Sequence, residues 1–366
     1  GVRPSHPISR LAMGGSILLA WYAVDHVGGL DQLQAGLNEL FGEGHSVLSI
    51  NPLTSPEIAL ATGLVWVGMM WWASWYPGSE PGGGGYIAQR MFSAKDEKNA
   101  VGGTLLFNVA HFALRPWPWI LVALVAMIVY PNLDDPETGY PLLMLDLLPA
   151  GLLGLLAVAF LAAFVSTVST HLNWGASYVV NDFYKPFIKQ EYKFETREEA
   201  QNHYVKVSRW TTLLIMAVAI LVSYLFDTVR GGWEAILSIG AGTGLVYMLR
   251  WFWWRINAWS EIAAMTAAAV GFTLTKILGY DDFAEQMIFT TLFATVIWVA
   301  ATMLTKPTDE KTLQSFFDRV KPGGPGWSRF LAAGEETYSL LPGILFAAIS
   351  GASIIALLFG MGQIFF

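Results

Sequence analysis

Apolar runs of about twenty residues recur along this chain from one end to the other. A helix of that length, rising about 1.5 Å per residue, crosses about 30 Å of hydrocarbon. Nine such spans are read, at about 11–27, 57–76, 103–130, 147–180, 208–226, 233–250, 257–279, 285–305 and 338–363. Composition agrees: 54% of the 366 residues are hydrophobic and 13% charged, against roughly 25% charged in soluble domains. The reading is an all-α membrane protein, multi-pass, in the plasma (inner) membrane.

The loops test the count. Basic residues concentrate on the cytoplasmic side of membranes. With residues 1–10 inside, 18 of the 21 Lys and Arg fall in inside segments. The other three are Arg230 in an outside loop, Lys276 at an outer helix end and Arg115 within a span. The outside loops 28–56 and 131–146 hold no Lys or Arg. This alternation predicts an outside C-terminus. No hydrophilic stretch exceeds roughly 30 residues, so residues 1–366 read as one transmembrane domain, with 306–337 a cytoplasmic loop. The net charge of −7 comes without a basic block, which argues against nucleic acid as a partner. There is no cysteine, hence no disulfide or thiolate chemistry. No HExxH, GxSxG or P-loop pattern occurs, so enzymes of those classes and an ATP-driven pump are not expected.

Three spans carry polar groups. In "AAFVSTVSTHLNWGASYVVNDFYK" (162–185), Ser166, Thr170, Asn173 and Ser177 fall at about 0°, 40°, −20° and 20° around a helix, with Ala163 at about 60°. Such a column of small and hydroxyl-bearing residues suits helix packing. It equally suits a hard monovalent cation, which takes neutral oxygen ligands. Ser166 and Thr167, with the carbonyl of Ala163, would supply three oxygens, and a second element the rest. In the second span a Trp-rich helix runs into Pro77, Gly78, Pro81 and Gly82–Gly85. That run is either an opened backbone at a binding site or an ordinary loop. Its aromatics, Trp66, Trp71, Trp72, Trp75 and Tyr76, read as an interfacial belt, with Trp66 deep enough to line a pocket. The third span contains "NVAHFALRPWPW" (108–119). Asn108 and Arg115 share a face, and His111 lies about 60° from Asn108. Arg115 is about 18 Å into the span. Unpaired there, it would cost at least about 2.5–3.5 kcal/mol, so it contacts substrate or pairs with an acid such as Glu80. Because it precedes Pro116, non-helical geometry is expected at Arg115.

The polar helix also carries a family resemblance. Its A-x-x-S-[ST] run, followed by "DFYK", resembles the ninth helix of the sodium:solute symporters in a fourteen-helix numbering. "YIAQRMFSAKDEKNA" (86–100) resembles the loop after that family's seventh helix, and "GTGLVYMLRWFWWRINAWSE" (242–261) the stretch closing its eleventh. Order and spacing match over nearly the whole chain from about residue 16. The resemblance implies the inverted five-helix-repeat transporter fold, in part: the nine spans correspond to the sixth to fourteenth helices, and most of the first repeat is missing. Residues 1–10 do not resemble the start of that sixth helix, which puts in doubt whether they are native. The resemblance further implies a sodium site at Ala163, Ser166 and Thr167, completed by a broken helix outside this chain. Sodium is then the co-transported ion and a small organic solute the cargo. Solute-binding candidates are Trp66, Met69, Trp72, Asn108, His111 and Arg115. Met69 and Gly240 stand where sugar-transporting members place Asn and Gln, so a sugar is not favoured, whereas Arg115 hints at an anionic group. Oligomeric state is open. The alternatives are a non-transporting sensor module of the same fold and a channel lined by the hydroxyl column.

Overall fold

The computed structural model describes residues 7–42, 60–73, 90–331 and 339–365, and these are helical apart from turns and short connections, with no strand among them. The helices are α1 (Pro7–His26), α2 (Leu30–Phe41), α3 (Leu60–Gly68), α4 (Glu97–Asn108), α5 (Pro116–Val129), α6 (Gly139–Leu147), α7 (Ala150–Tyr178), α8 (Arg197–Ser223), α9 (Val229–Leu249), α10 (Ala258–Ile277), α11 (Phe283–Leu304), α12 (Glu310–Val320) and α13 (Leu341–Phe365). Among the described residues, five continuous stretches are long and apolar enough to cross a membrane: Glu97–Val129, Ala150–Ile188, Arg197–Ser223, Phe283–Leu304 and Leu341–Phe365. The all-α membrane class is therefore observed.

Side-chain caps mark several helix starts. Asp96 accepts from Asn99 N at 2.8 Å before α4, Thr196 from Glu199 N at 3.1 Å before α8, and Asp282 from Glu285 N at 3.0 Å before α11. Each satisfies a backbone donor that the first helical turn leaves orphaned.

Two stretches depart from expectation because the helix widens. Val109–Leu114 is a π-helix joining α4 to α5, and Val179–Ile188 is another extending α7. Arg115 is helical despite preceding Pro116, with φ −60° and ψ −34°. Its N–H bonds to the Ala110 carbonyl at 2.9 Å, five residues back. This wider turn carries the chain into the proline without a break. Elsewhere, α3 stops at Gly68, short of the predicted edge at 76: Met70 N bonds to Val65 O at 3.1 Å and the Trp71 indole to Gly68 O at 2.9 Å, which closes the helix end in a turn. Pro77–Gly85 and Glu80 lie outside the described residues.

The chain divides into two compact units, Gly1–Gly29 with Pro118–Val229 and Leu30–Trp117 with Arg230–Phe366. In the first, α1 and α8 both pack on α7. Gly15 permits the α1 contact, since a β-carbon there would stand 2.6 Å from Leu156 Cδ1. In the second, α10 and α11 pack along their lengths and α13 lies against the π-helix Val109–Leu114. Residues 306–331 are more than a loop. In α12, Leu313 and Phe317 bury against Trp327 and Phe330. This cap is fastened to the α9–α10 turn by a bond from the Trp327 indole to the Trp251 carbonyl at 2.9 Å.

Candidate functional site

Ala163, Ser166 and Thr167 lie on α7, in the first unit. Ala- and Leu-rich sequence favours this helix, and its polar column is exposed throughout: Ser166, Thr167, Thr170, Asn173 and Ser177 all face outward. The column divides chemically. Thr170 Oγ1 donates to the Ser166 carbonyl at 2.7 Å. Further along, Asn181 Nδ2 donates to Ser177 Oγ at 3.0 Å, and Lys185 Nζ to Asn181 Oδ1 at 2.8 Å. Thr170 and Ser177 are thus used within their own helix. The hydroxyls of Ser166 and Thr167 take part in no hydrogen bond among the described residues. Their neighbour Ala163 offers a carbonyl, whose second lone pair the helix bond leaves over. Three neutral oxygens on one turn suit a monovalent hard cation.

The end of this helix holds a polar corner. The Tyr184 hydroxyl meets His203 Nε2 at 3.0 Å, Tyr204 donates to the Lys189 carbonyl at 2.8 Å, and Lys185 stacks 4.7 Å over the Tyr204 ring. The "DFYK" run therefore anchors the π-helix to α8.

The solute candidates lie in the second unit. Met69 packs against Val65, Ala241, Ala284 and Met287, while Trp66 is 51% exposed. Trp72, half-buried, meets Trp71 edge-on at 5.1 Å. Asn108, His111 and Arg115 occupy the other neighbourhood, at the π-helix beneath α13. Asn108 Nδ2 donates to the Thr104 carbonyl at 2.9 Å. The Arg115 guanidinium donates to His111 Nδ1 at 3.0 Å, so the imidazole accepts there and a neutral ring carries its proton on Nε2. Phe107 stacks on the same ring at 5.0 Å. Asn108 thus bonds back to Thr104 while His111 and Arg115 bond each other, each contact running along its own helix.

Sequence reasoning missed the ion pair from Arg250 to Glu261 at 3.1 Å, which closes the α9–α10 turn. The signal was present in "RWFWWRINAWSE", where an arginine and an acid flank a short connection.

Comparison with known proteins decides the family. The model of the sodium:solute symporter family matches residues 9–271. The chain belongs to the sodium:solute symporter family. Among curated relatives, it is 24% identical to a sodium/glucose cotransporter of Vibrio parahaemolyticus over 82% of this chain and 57% of that protein. It is 28% identical to the high-affinity proline transporter PutP of Bacillus subtilis over 51% of this chain and 38% of that protein. A sodium/myo-inositol cotransporter 2 of Oryctolagus cuniculus is 26% identical over 74% of this chain and 42% of its own length. The chain thus spans between about two fifths and three fifths of the length of these relatives. The family and these relatives are transporters, not enzymes.

Proposed function

We propose that this chain serves sodium-coupled import of a small organic solute across the plasma membrane. The observation that carries the reading is on α7: within the family-like motif, Ser166 and Thr167 keep their hydroxyls out of hydrogen bonds among the described residues, while Thr170, one turn on, bonds its own helix. Sodium bound at Ala163, Ser166 and Thr167 ties α7 to a second ligand-bearing element. Solute affinity then rises with sodium by linkage. The relatives' named cargoes, glucose, proline and myo-inositol, are small polar organic molecules, and a cargo of that kind is the reading for this chain. Met69, Trp66 and Trp72 are proposed as its apolar wall, and Asn108, His111 and Arg115 as its polar one, with Arg115 meeting an anionic group.

Uptake into vesicles by the full-length protein tests this. Ser166→Ala and Thr167→Ala should each raise the sodium concentration for half-maximal uptake roughly tenfold or more, a coupling of ordinary size. Unchanged sodium dependence in both removes the site assignment. Arg115→Gln should weaken solute affinity while leaving sodium activation in place; intact affinity would discard the solute role of Arg115.

A further inference from the structure

Helices α9, α10 and α11 of the second unit pack in registered layers. Thr302 Oγ1 donates to Ser260 Oγ at 2.7 Å. One turn away, Val246, Ala264 and Trp298 share a cluster. A turn further, a β-carbon on Gly242 would stand 2.7 Å from that of Ala268 and 3.2 Å from that of Ala294. One turn before Gly242 on α9 stands Ser238, and one turn before Ala294 on α11 stand Thr290 and Thr291, with the Gly271 β-position of α10 3.4 Å from Thr290 Cα.

This layer differs from the others in its oxygens. Ser238 Oγ, Thr290 Oγ1, Thr291 Oγ1 and, one turn beyond, Gln286 Oε1 have no hydrogen-bond partner among the described residues. Ser238, Gln286 and Thr290 are 0% exposed and Thr291 5%. An internal solution is used all around them. Thr243, Thr266, Thr273 and Thr305 each turn the hydroxyl to the carbonyl four residues back. Gln286 spends Nε2 on the Tyr280 carbonyl at 2.8 Å, and its Oε1 can only accept. Buried polar atoms without a protein partner are the usual holders of internal water.

An ion fits this arrangement poorly. Thr290 and Thr291 point about 100° apart around α11, and Gln286 sits a turn away. The four oxygens therefore do not converge as one shell, whereas a hard cation asks for about six ligands around a point. Water suits the spread, since each molecule donates to Gln286 Oε1 or a hydroxyl and accepts from another.

We propose that the Ser238–Gln286–Thr290–Thr291 layer holds a short file of internal water, roughly 11 Å along α11 from its start. The proposal does not depend on the sodium-coupled reading, although Met287 packs against Met69, and its test needs no transport. Radiolytic hydroxyl-radical footprinting of the protein in lipid nanodiscs reads it at Met287. That side chain is 0% exposed and lies between Thr290 and Thr291 in angle. Radicals made from bound water should oxidise Met287 to the sulfoxide in the wild type. In the triple variant Ser238→Ala, Thr290→Val, Thr291→Val that oxidation should be lost. Equal Met287 oxidation in the two proteins overturns the proposal. So does wild-type oxidation that collapses when sodium replaces choline, which marks a cation as the occupant. If the triple variant fails to fold, Thr291→Val decides through its thermal midpoint. A fall supports a hydroxyl bonded to water, and a rise shows a hydroxyl with nothing to bond.

Discussion

A β-carbon on Gly326 would collide with the Phe252 carbonyl oxygen and stand 3.2 Å from the Trp253 Cα. Both obstacles are backbone, so no side chain can swing aside. Gly326→Ala must therefore lift the short 3₁₀ turn Pro325–Phe330 off the α9–α10 connection. We expect a loss of about 1–3 kcal/mol, the usual scale of overpacking, seen as a lower thermal midpoint in detergent. Trp327→Phe keeps the ring against Phe317 and Phe330 but removes the indole bond to the Trp251 carbonyl. Its cost should be near 1 kcal/mol, that of one hydrogen bond. A matching loss in both variants would mean that the contact at Gly326 is relieved cheaply. At this scale the sequence was informative where chemistry is rare. Arg115 stood out because charge in lipid is costly. Thr290 and Thr291 did not, since a threonine in an apolar helix bonds its own backbone in most cases, and only the structure shows that these two do not.

The elements show what hydropathy reads and what it cannot. The apolar runs placed α7, α10, α11 and α13 within a few residues, because burial in lipid depends on composition over a window. Helix α8 starts well before its run, at Arg197, because its first residues are polar. The end of α3 was invisible to that logic: Met69, Met70, Trp71 and Trp72 are as apolar as the helix before them, and it is the turn from Val65 to Trp72 that stops it. The π-helices were invisible for a related reason, since a proline in a span announces a kink but not which wide turn absorbs it. Close helix approach was equally unread. Gly242→Val should push α9 away from Ala268 and Ala294 at the tightest layer of the α9–α10–α11 packing. We expect about 1–3 kcal/mol of destabilisation. Gly351→Val on α13, where nothing lies within 4 Å of the β-position, should leave the melting temperature nearly unchanged. The pair compares the two helices directly.

For the whole molecule the strongest sequence signal was topological. The even alternation of basic and acidic loops assigns each connection a side of the membrane, and the chain offers a clean measurement because it has no cysteine. A cysteine at Asp134 should react with an impermeant maleimide on intact cells, and one at Lys311 only after the membrane is opened. Reaction of Lys311→Cys on intact cells would invert the assigned orientation. The α9–α10 turn carries a further consequence. Arg255 holds the Met303 and Thr305 carbonyls at 3.3 and 2.7 Å, and Asn257 reaches Thr305 Oγ1 and the Lys306 carbonyl at 3.0 and 3.2 Å. Together with Ser260–Thr302 and Arg250–Glu261, these contacts clamp the ends of three helices. When a carrier exposes its site first to one side and then to the other, helices clamped in this way travel as one rigid body, and the hinges lie elsewhere. Stapling that body should therefore cost the cycle nothing. A Ser260→Cys, Thr302→Cys pair, once oxidised, should transport at the same rate as its reduced form.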